Sequence, residues 1–143
     1  MAQPAPPGRW VDLDFAVKTY DIDFAGIVSN IVFVRWLEDL RLDMMEAAYP
    51  LRRALADGVA PVLLETHIAY RRPVTIQQRL RGRMWVKAME RVRWTVAASF
   101  VADDVVRAEA EQTGIFIRLA TRKPVAVPAP LRDWVGDRAE NAA

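Results

Sequence analysis

The chain contains no cysteine. Disulfides, thiolate metal sites and a cysteine nucleophile are therefore excluded. It contains a single histidine, His67, which rules out a histidine-rich zinc centre and makes most hydrolytic triads awkward to assemble. No uninterrupted apolar run approaches the length of a membrane span. The proline-rich start, Met1–Gly8, has neither the charged beginning nor the apolar stretch of a secretory signal. A glycine-rich phosphate loop is missing as well. Blocks of one charge are absent: the net charge is +2, and the arginines alternate with apolar residues in strand-like runs. That pattern speaks against nucleic acid and is compatible with an anionic small molecule. The expectation is a cytoplasmic protein with no resident metal or cofactor.

What is present fits one domain. The 143 residues, 52% apolar and 27% charged, are enough to bury a core without covalent staples. We expect this domain over 11–136, between a flexible N-terminus at 1–10 and a flexible tail at 137–143. Val11–Tyr20 reads as a strand with Leu13, Phe15 and Val17 on one side. A turn-rich stretch, Asp21–Gly26, follows, and Ser29 or Asn30 suits the N-cap of a helix. From Ile31 to about Ala48, Phe33, Leu37, Leu40, Met44 and Ala47 recur at spacings of three and four. Pro50 closes that helix, and Leu51–Ala56 suggests a short extra turn.

Beyond Pro61 the period changes to two. Strands are expected around Leu63–Tyr70, Leu80–Ala88, Val92–Phe100 and Val106–Leu119, with tight connections at Met89–Arg91 and Ala102–Asp104. In the last of these the apolar parity changes, from Val106, Ala108 and Ala110 to Ile115, Ile117 and Leu119. Gly114 sits at the change, as a β-bulge would require. A short helix is expected near Leu131–Val135. The whole reads as α+β, an antiparallel sheet of about five strands against one long helix.

Four motifs now stand in order: Tyr20–Val28, Phe33–Glu38, Ile68–Pro73 and Arg122–Pro128. Together they resemble the hotdog-fold proteins of the 4-hydroxybenzoyl-CoA thioesterase-like family, over roughly Phe15–Val135. The resemblance implies a sheet wrapped around the central helix, and a homodimer or homotetramer with active sites at the subunit interface. It implies an acyl-CoA or acyl-carrier-protein thioester as substrate. Asp23 stands where the family has its catalytic Asp. Gly26, Ile27, Val28 and Ser29, up to about Asn30, match the loop whose backbone N–H groups polarise the thioester carbonyl. Asp21 matches a more often structural acidic residue. Many members carry an aromatic, a His or Phe, and an Asn where this chain has Ser29, Asn30 and Val32. The Ser29-Asn30 pair is closer to the branch that includes long-chain acyl thioesterases, which implies a fatty acyl group.

The chemistry is reasonable for these residue types. A helix N-terminus offers free N–H donors and the positive end of the helix dipole to a developing oxyanion. A carboxylate just before that helix either attacks the carbonyl, giving an acyl-enzyme anhydride, or activates water as general base. Asn30 either orients water or the thioester, or caps the helix. An Asp before a helix is in general a turn or cap residue, and only the family match lifts Asp23 above that reading. His67 reads as structural. Glu65 is a candidate second carboxylate or the partner of an arginine, and Tyr70, Arg71 and Arg72 are candidate substrate contacts. For the CoA phosphates, Arg71, Arg72, Lys87, Arg91, Arg93, Arg122 and Lys123 are the available cations. Glu38 and Arg41, three apart on the helix, suggest an ion pair. A non-catalytic acyl-CoA-binding protein and a hotdog hydratase are the competing readings; the hydratase lacks a histidine near the helix.

Overall fold

The computed structural model describes residues 5–6 and 8–136. The expected tail at 137–143 and part of the expected N-terminal segment lie outside the described residues. In chain order the elements are β1 (Trp10–Ala16), a 3-10 turn (Thr19–Asp21), α1 (Asn30–Ala48), α2 (Leu51–Ala56), β2 (Val59–Tyr70), β3 (Arg79–Met89), β4 (Arg93–Ala102), β5 (Val105–Arg118), β6 (Pro124–Val125) and α3 (Ala129–Val135). All pairings are antiparallel, in the order β1-β3-β4-β5-β2, with the two-residue β6 against β5. Long β2 therefore forms one edge of the sheet.

The period-two pattern sets which face is buried. Val11 and Phe15 of β1, Leu80 and Met84 of β3, and Trp94, Val96 and Phe100 of β4 are buried on one side. Against them lies α1, with Val32, Phe33, Trp36, Leu37, Leu40 and Met44 buried. Ala47, the end of the expected stripe, is exposed; Val32 and Trp36 widen the stripe on the other side. Phe33, Trp36, Phe15 and Phe100 form one aromatic cluster, with ring centroids 5.1 Å apart for Phe15–Trp36 and 5.4 Å for Phe33–Phe100. Such offset and edge-on pairs add to the area they bury. Gly82 makes room for this packing: a β-carbon there would lie 2.6 Å from the Phe15 ring. The β4–β5 connection is a two-residue turn, Asp103-Asp104, with both residues at positive φ, as a tight hairpin requires.

One expectation is corrected. The parity change sits not in β5 at Gly114 but in its partner β2. There the register slips between Leu63, opposite Gly114, and Glu65, opposite Thr113, leaving Leu64 as the extra residue. The inward face of β2 therefore passes from Val59, Pro61 and Leu63 to Thr66, Ile68 and Tyr70. From Ala108 to Phe116 β5 keeps one parity inward, with Ala108, Ala110, Gln112, Gly114 and Phe116 buried; its own extra residue, Arg107, lies before this run. Two particular residues hold it there. Gln112 is polar yet bonded on the inner side, and Gly114 leaves the space that the Trp94 ring fills.

Candidate active site

The stretch between the 3-10 turn and α1 is a closed loop. The Ile22 and Val28 backbones form an antiparallel bridge. Between them the Asp23 N–H donates to the Ile27 carbonyl at 2.9 Å, and the Gly26 N–H to the Asp23 carbonyl at 3.0 Å. Gly26 has φ +77° and open space around its missing β-carbon, so its freedom of backbone, not its size, is what the turn uses. Two anchors fix the loop to the body: Val28 N–H to the Val74 carbonyl at 2.8 Å, and Ser29 N–H to the Asp21 carbonyl at 2.9 Å. Asp21 is buried, and its carboxylate accepts the Lys18 N–H at 2.9 Å. It is a framework residue.

Asp23 is half-buried. One carboxylate oxygen accepts the Ala25 N–H at 2.8 Å, and the other has no partner among the described residues. Asn30 is the first residue of α1 rather than its cap. Ser29 takes the cap position with extended backbone and no side-chain capping bond. Capping by Asn30 is thereby corrected, since a residue already in helical conformation leaves its side chain beside the helix, not across its end. Of the loop's N–H groups, those of Gly26, Val28 and Ser29 are used within the fold. Those of Ile27, Asn30 and Ile31 meet no protein acceptor among the described residues. Tyr70, at the end of β2, reaches this helix start: its Oη donates to the Asn30 carbonyl at 3.0 Å and its ring meets Phe33 edge-on at 5.5 Å. Burial pushes the Tyr70 hydroxyl above its ordinary pKa. Tyr20, Phe24 and Ile31 are exposed around the same loop.

The remaining candidates are not brought to this place. Glu65, His67 and Ala69 lie on the sheet face turned away from α1. Glu65 has no arginine partner among the described residues, because at the free edge it faces only Thr113 across the ladder. Arg71 pairs with Glu109 at 3.1 Å, and Lys87 pairs with Glu111. Arg72 is exposed and its side chain carries no ion pair among the described residues. No group of three or more metal-ligating side chains occurs among the described residues.

The expected Glu38–Arg41 ion pair is also replaced. Arg41 turns inward and donates to Gln112 Oε1 at 2.6 Å, and Gln112 in turn donates to Thr66 Oγ1 at 3.0 Å. A buried amide needs partners, and Arg41 is the long donor that reaches it. Burial pushes the Arg41 guanidinium below its ordinary pKa, with Glu38 pulling it back up. These two residues border a cavity of about 260 Å³ between the C-terminal half of α1 and the sheet, walled chiefly by Met44, Met45, Val86, Met89, Trp94 and Phe116. Sequence reading passed over Gln112. Its signal was there, a polar residue on the buried parity of a strand, but it was absorbed into the supposed parity change.

The fold is shared with solved hotdog thioesterase structures. A 1,4-dihydroxy-2-naphthoyl-CoA thioesterase from Synechocystis is 19% identical, with a TM-score of 0.82 over 90% of this chain and 97% of that one. A hypothetical protein from Staphylococcus aureus, solved in complex with CoA, is 13% identical with a TM-score of 0.86, covering 99% and 90%. The probable thioesterase YbaW from Escherichia coli is 23% identical with a TM-score of 0.78, covering 90% and 98%. No match was found among curated proteins. Residues 17–135 match the thioesterase-like superfamily, and the chain belongs to it. It is a thioester hydrolase of the hotdog fold. No helix among the described residues is long and apolar enough to cross a membrane.

Proposed function

We propose that the protein hydrolyses a fatty acyl-CoA thioester, with Asp23 as nucleophile or general base and the start of α1 as oxyanion site. The observation that carries this reading is the state of the loop. Among the described residues, a carboxylate oxygen without a partner stands seven residues ahead of a helix start whose first N–H groups also meet no acceptor. Preorganised donors of this kind stabilise a developing oxyanion without reorganising. The loop is held at both ends by the Val74 and Asp21 carbonyls, which keeps the carboxylate and the donors in fixed relation. Ile27, Asn30 and Ile31 supply the donors. Among the cations, Arg72 beside the end of β2 is open to a CoA phosphate, whereas Arg71 and Lys87 are already paired. The S. aureus protein solved with CoA supports the choice of carrier.

The protein works as a homodimer or homotetramer. β2 is an unpaired edge of 12 residues with Leu63, Leu64 and Tyr70 exposed, and Ile31, Val34 and Leu42 are exposed on α1. A long apolar edge strand is a pairing surface unless something covers it. Because Tyr70 bonds to the helix start, a partner on this edge would close over the proposed site.

Thiol release from straight-chain acyl-CoAs of increasing length, and from one aromatic acyl-CoA, tests the reading. Turnover that rises with chain length is expected. Release of no thiol from CoA thioesters, nor from the matching acyl-carrier-protein thioesters, would overturn it.

A further inference from the structure

The cavity under the C-terminal half of α1 is mostly apolar, and its charged side chains are Arg41 and, at the rim, Glu38. Arg41 uses one of its five N–H groups on Gln112 and forms no ion pair among the described residues. A guanidinium stays protonated in proteins, so it cannot relieve its burial by losing charge. Trp94 lines the same cavity, but its indole N–H is shut off from that space and has no acceptor among the described residues. Gln112 has both ends of its amide occupied, by Arg41 and Thr66. The one carboxylate on the lining, Glu38, is exposed at the rim. Leu42 and Leu63, 46% and 36% exposed, stand at that rim too, so the cavity opens between α1 and the free edge of β2. Its volume of about 260 Å³ falls at the small end for a ligand site.

Apolar walls with one guanidinium whose N–H groups are only partly used define the complement: a short methylene chain ending in an acceptor-only, negatively charged group. A carboxylate accepts two parallel bonds from a guanidinium. An alkyl end would leave the Arg41 guanidinium facing carbon, and an unpaired donor taken from water costs more than its bond would have contributed. We infer that this cavity takes the far end of the acyl group, and that Arg41 selects acyl groups terminating in a carboxylate over plain alkyl chains. The inference rests on the thioesterase reading above and narrows it from fatty acyl to ω-carboxyacyl thioesters. Arg41 acts here as a specificity residue, with Glu38 as an opposing charge at the entrance.

Non-hydrolysable thioether analogues separate this from turnover. CoA S-alkylated with ω-carboxyalkyl chains and with n-alkyl chains of equal length would be titrated calorimetrically into the full-length protein, over a series of lengths. At the best length the carboxylated analogue is expected to bind about tenfold or more tightly, the scale of one charge-assisted bond. Arg41→Met is expected to bring that ratio to about one or below, and Glu38→Gln to increase it. Should Arg41→Met fail to fold, Arg41→Lys serves, keeping the charge without the fork and reducing the ratio partway. Equal or weaker binding of the carboxylated series, or binding of neither series, would overturn the inference. Thiol release from plain acyl-CoAs in the same protein would then leave the thioesterase reading standing, and its absence would remove both.

Discussion

On the face of the sheet turned away from α1, basic side chains meet carboxylates at short range. Arg83 meets Asp12 at 2.6 Å and lies 4.9 Å from the Trp10 ring; Arg81 meets Asp14 at 3.2 Å, Arg71 meets Glu109 at 3.1 Å, and Lys87 meets Glu111. On the side of α1 the polar groups stand differently. Among the described residues Arg41 hydrogen-bonds only an amide, the buried Trp94 N–H and one oxygen of Asp23 have no partner, and the N–H groups of Asn30 and Ile31 meet no acceptor. Most charges on the face turned away from α1 are paired with one another, Glu65 being an exception, and such pairs have little to offer a ligand. The proposed site and the proposed acyl cavity both lie on the side of α1, where these groups are left unmatched. The cross-strand register explains the first face, since Asp12 stands directly opposite Arg83 and Asp14 opposite Arg81. Helix placement explains the second, because α1 enters at the loop and then covers the cavity.

The contrast gives expectations of graded size. Phe100, fully buried among Phe15, Phe33 and Trp36, holds α1 to the sheet. Phe100→Ala is expected to cost about 3–5 kcal/mol in denaturant unfolding. Next in size is the free edge. Val34→Glu together with Leu64→Glu puts charge on exposed apolar positions of α1 and β2. The pair is expected to weaken self-association about thirtyfold or more by light scattering, as loss of a central contact does.

A smaller effect belongs to alkaline pH. Burial, and then the hydrogen bond to Asp57 at 2.6 Å, push the Tyr49 hydroxyl up to about 12. Its unfolded value is about 10, so the unfolded chain loses this proton first as pH rises. The stabilisation is complete below about pH 10 and is lost as the pH approaches 12. Thermal melts from pH 9 to 12 should show the fall, and Tyr49→Phe should flatten it. The smallest change is expected on the outer face. Arg71 and Glu109 are both about half exposed, so Arg71→Gln should shift stability by about 1 kcal/mol or less, and less still in high salt.

Much of the fold was legible because it rests on period. Alternation over Leu80–Ala88 and Val92–Phe100, and the three-and-four spacing from Phe33 to Met44, survive into β3, β4 and α1 nearly residue for residue. Asp103-Asp104 was legible as a turn because two adjacent short polar residues tolerate positive φ. What failed was pairing information. Leu63 and Gly114 face one another across the ladder, and nothing in the local pattern tells that β2, through Leu64, carries the extra residue. The Asp23 loop was found through its family motif; its anchors at Asp21 and Val74 depend on long-range geometry. The spacing of Arg41 from Glu38 suggests an ion pair, whereas the buried amide 71 residues away decides the direction of Arg41.

The central claim concerns the spare oxygen of Asp23. The most direct measurement is kcat/KM for thiol release by wild type and by Asp23→Asn, with folding checked by circular dichroism. Asparagine keeps an acceptor for the Ala25 N–H, so the loop can persist while the carboxylate is lost. A fall of about two or more orders of magnitude in a folded variant is expected, the range of a lost general base or nucleophile. A folded Asp23→Asn enzyme that keeps wild-type kcat/KM would contradict the assignment and move the chemistry elsewhere on the α1 side.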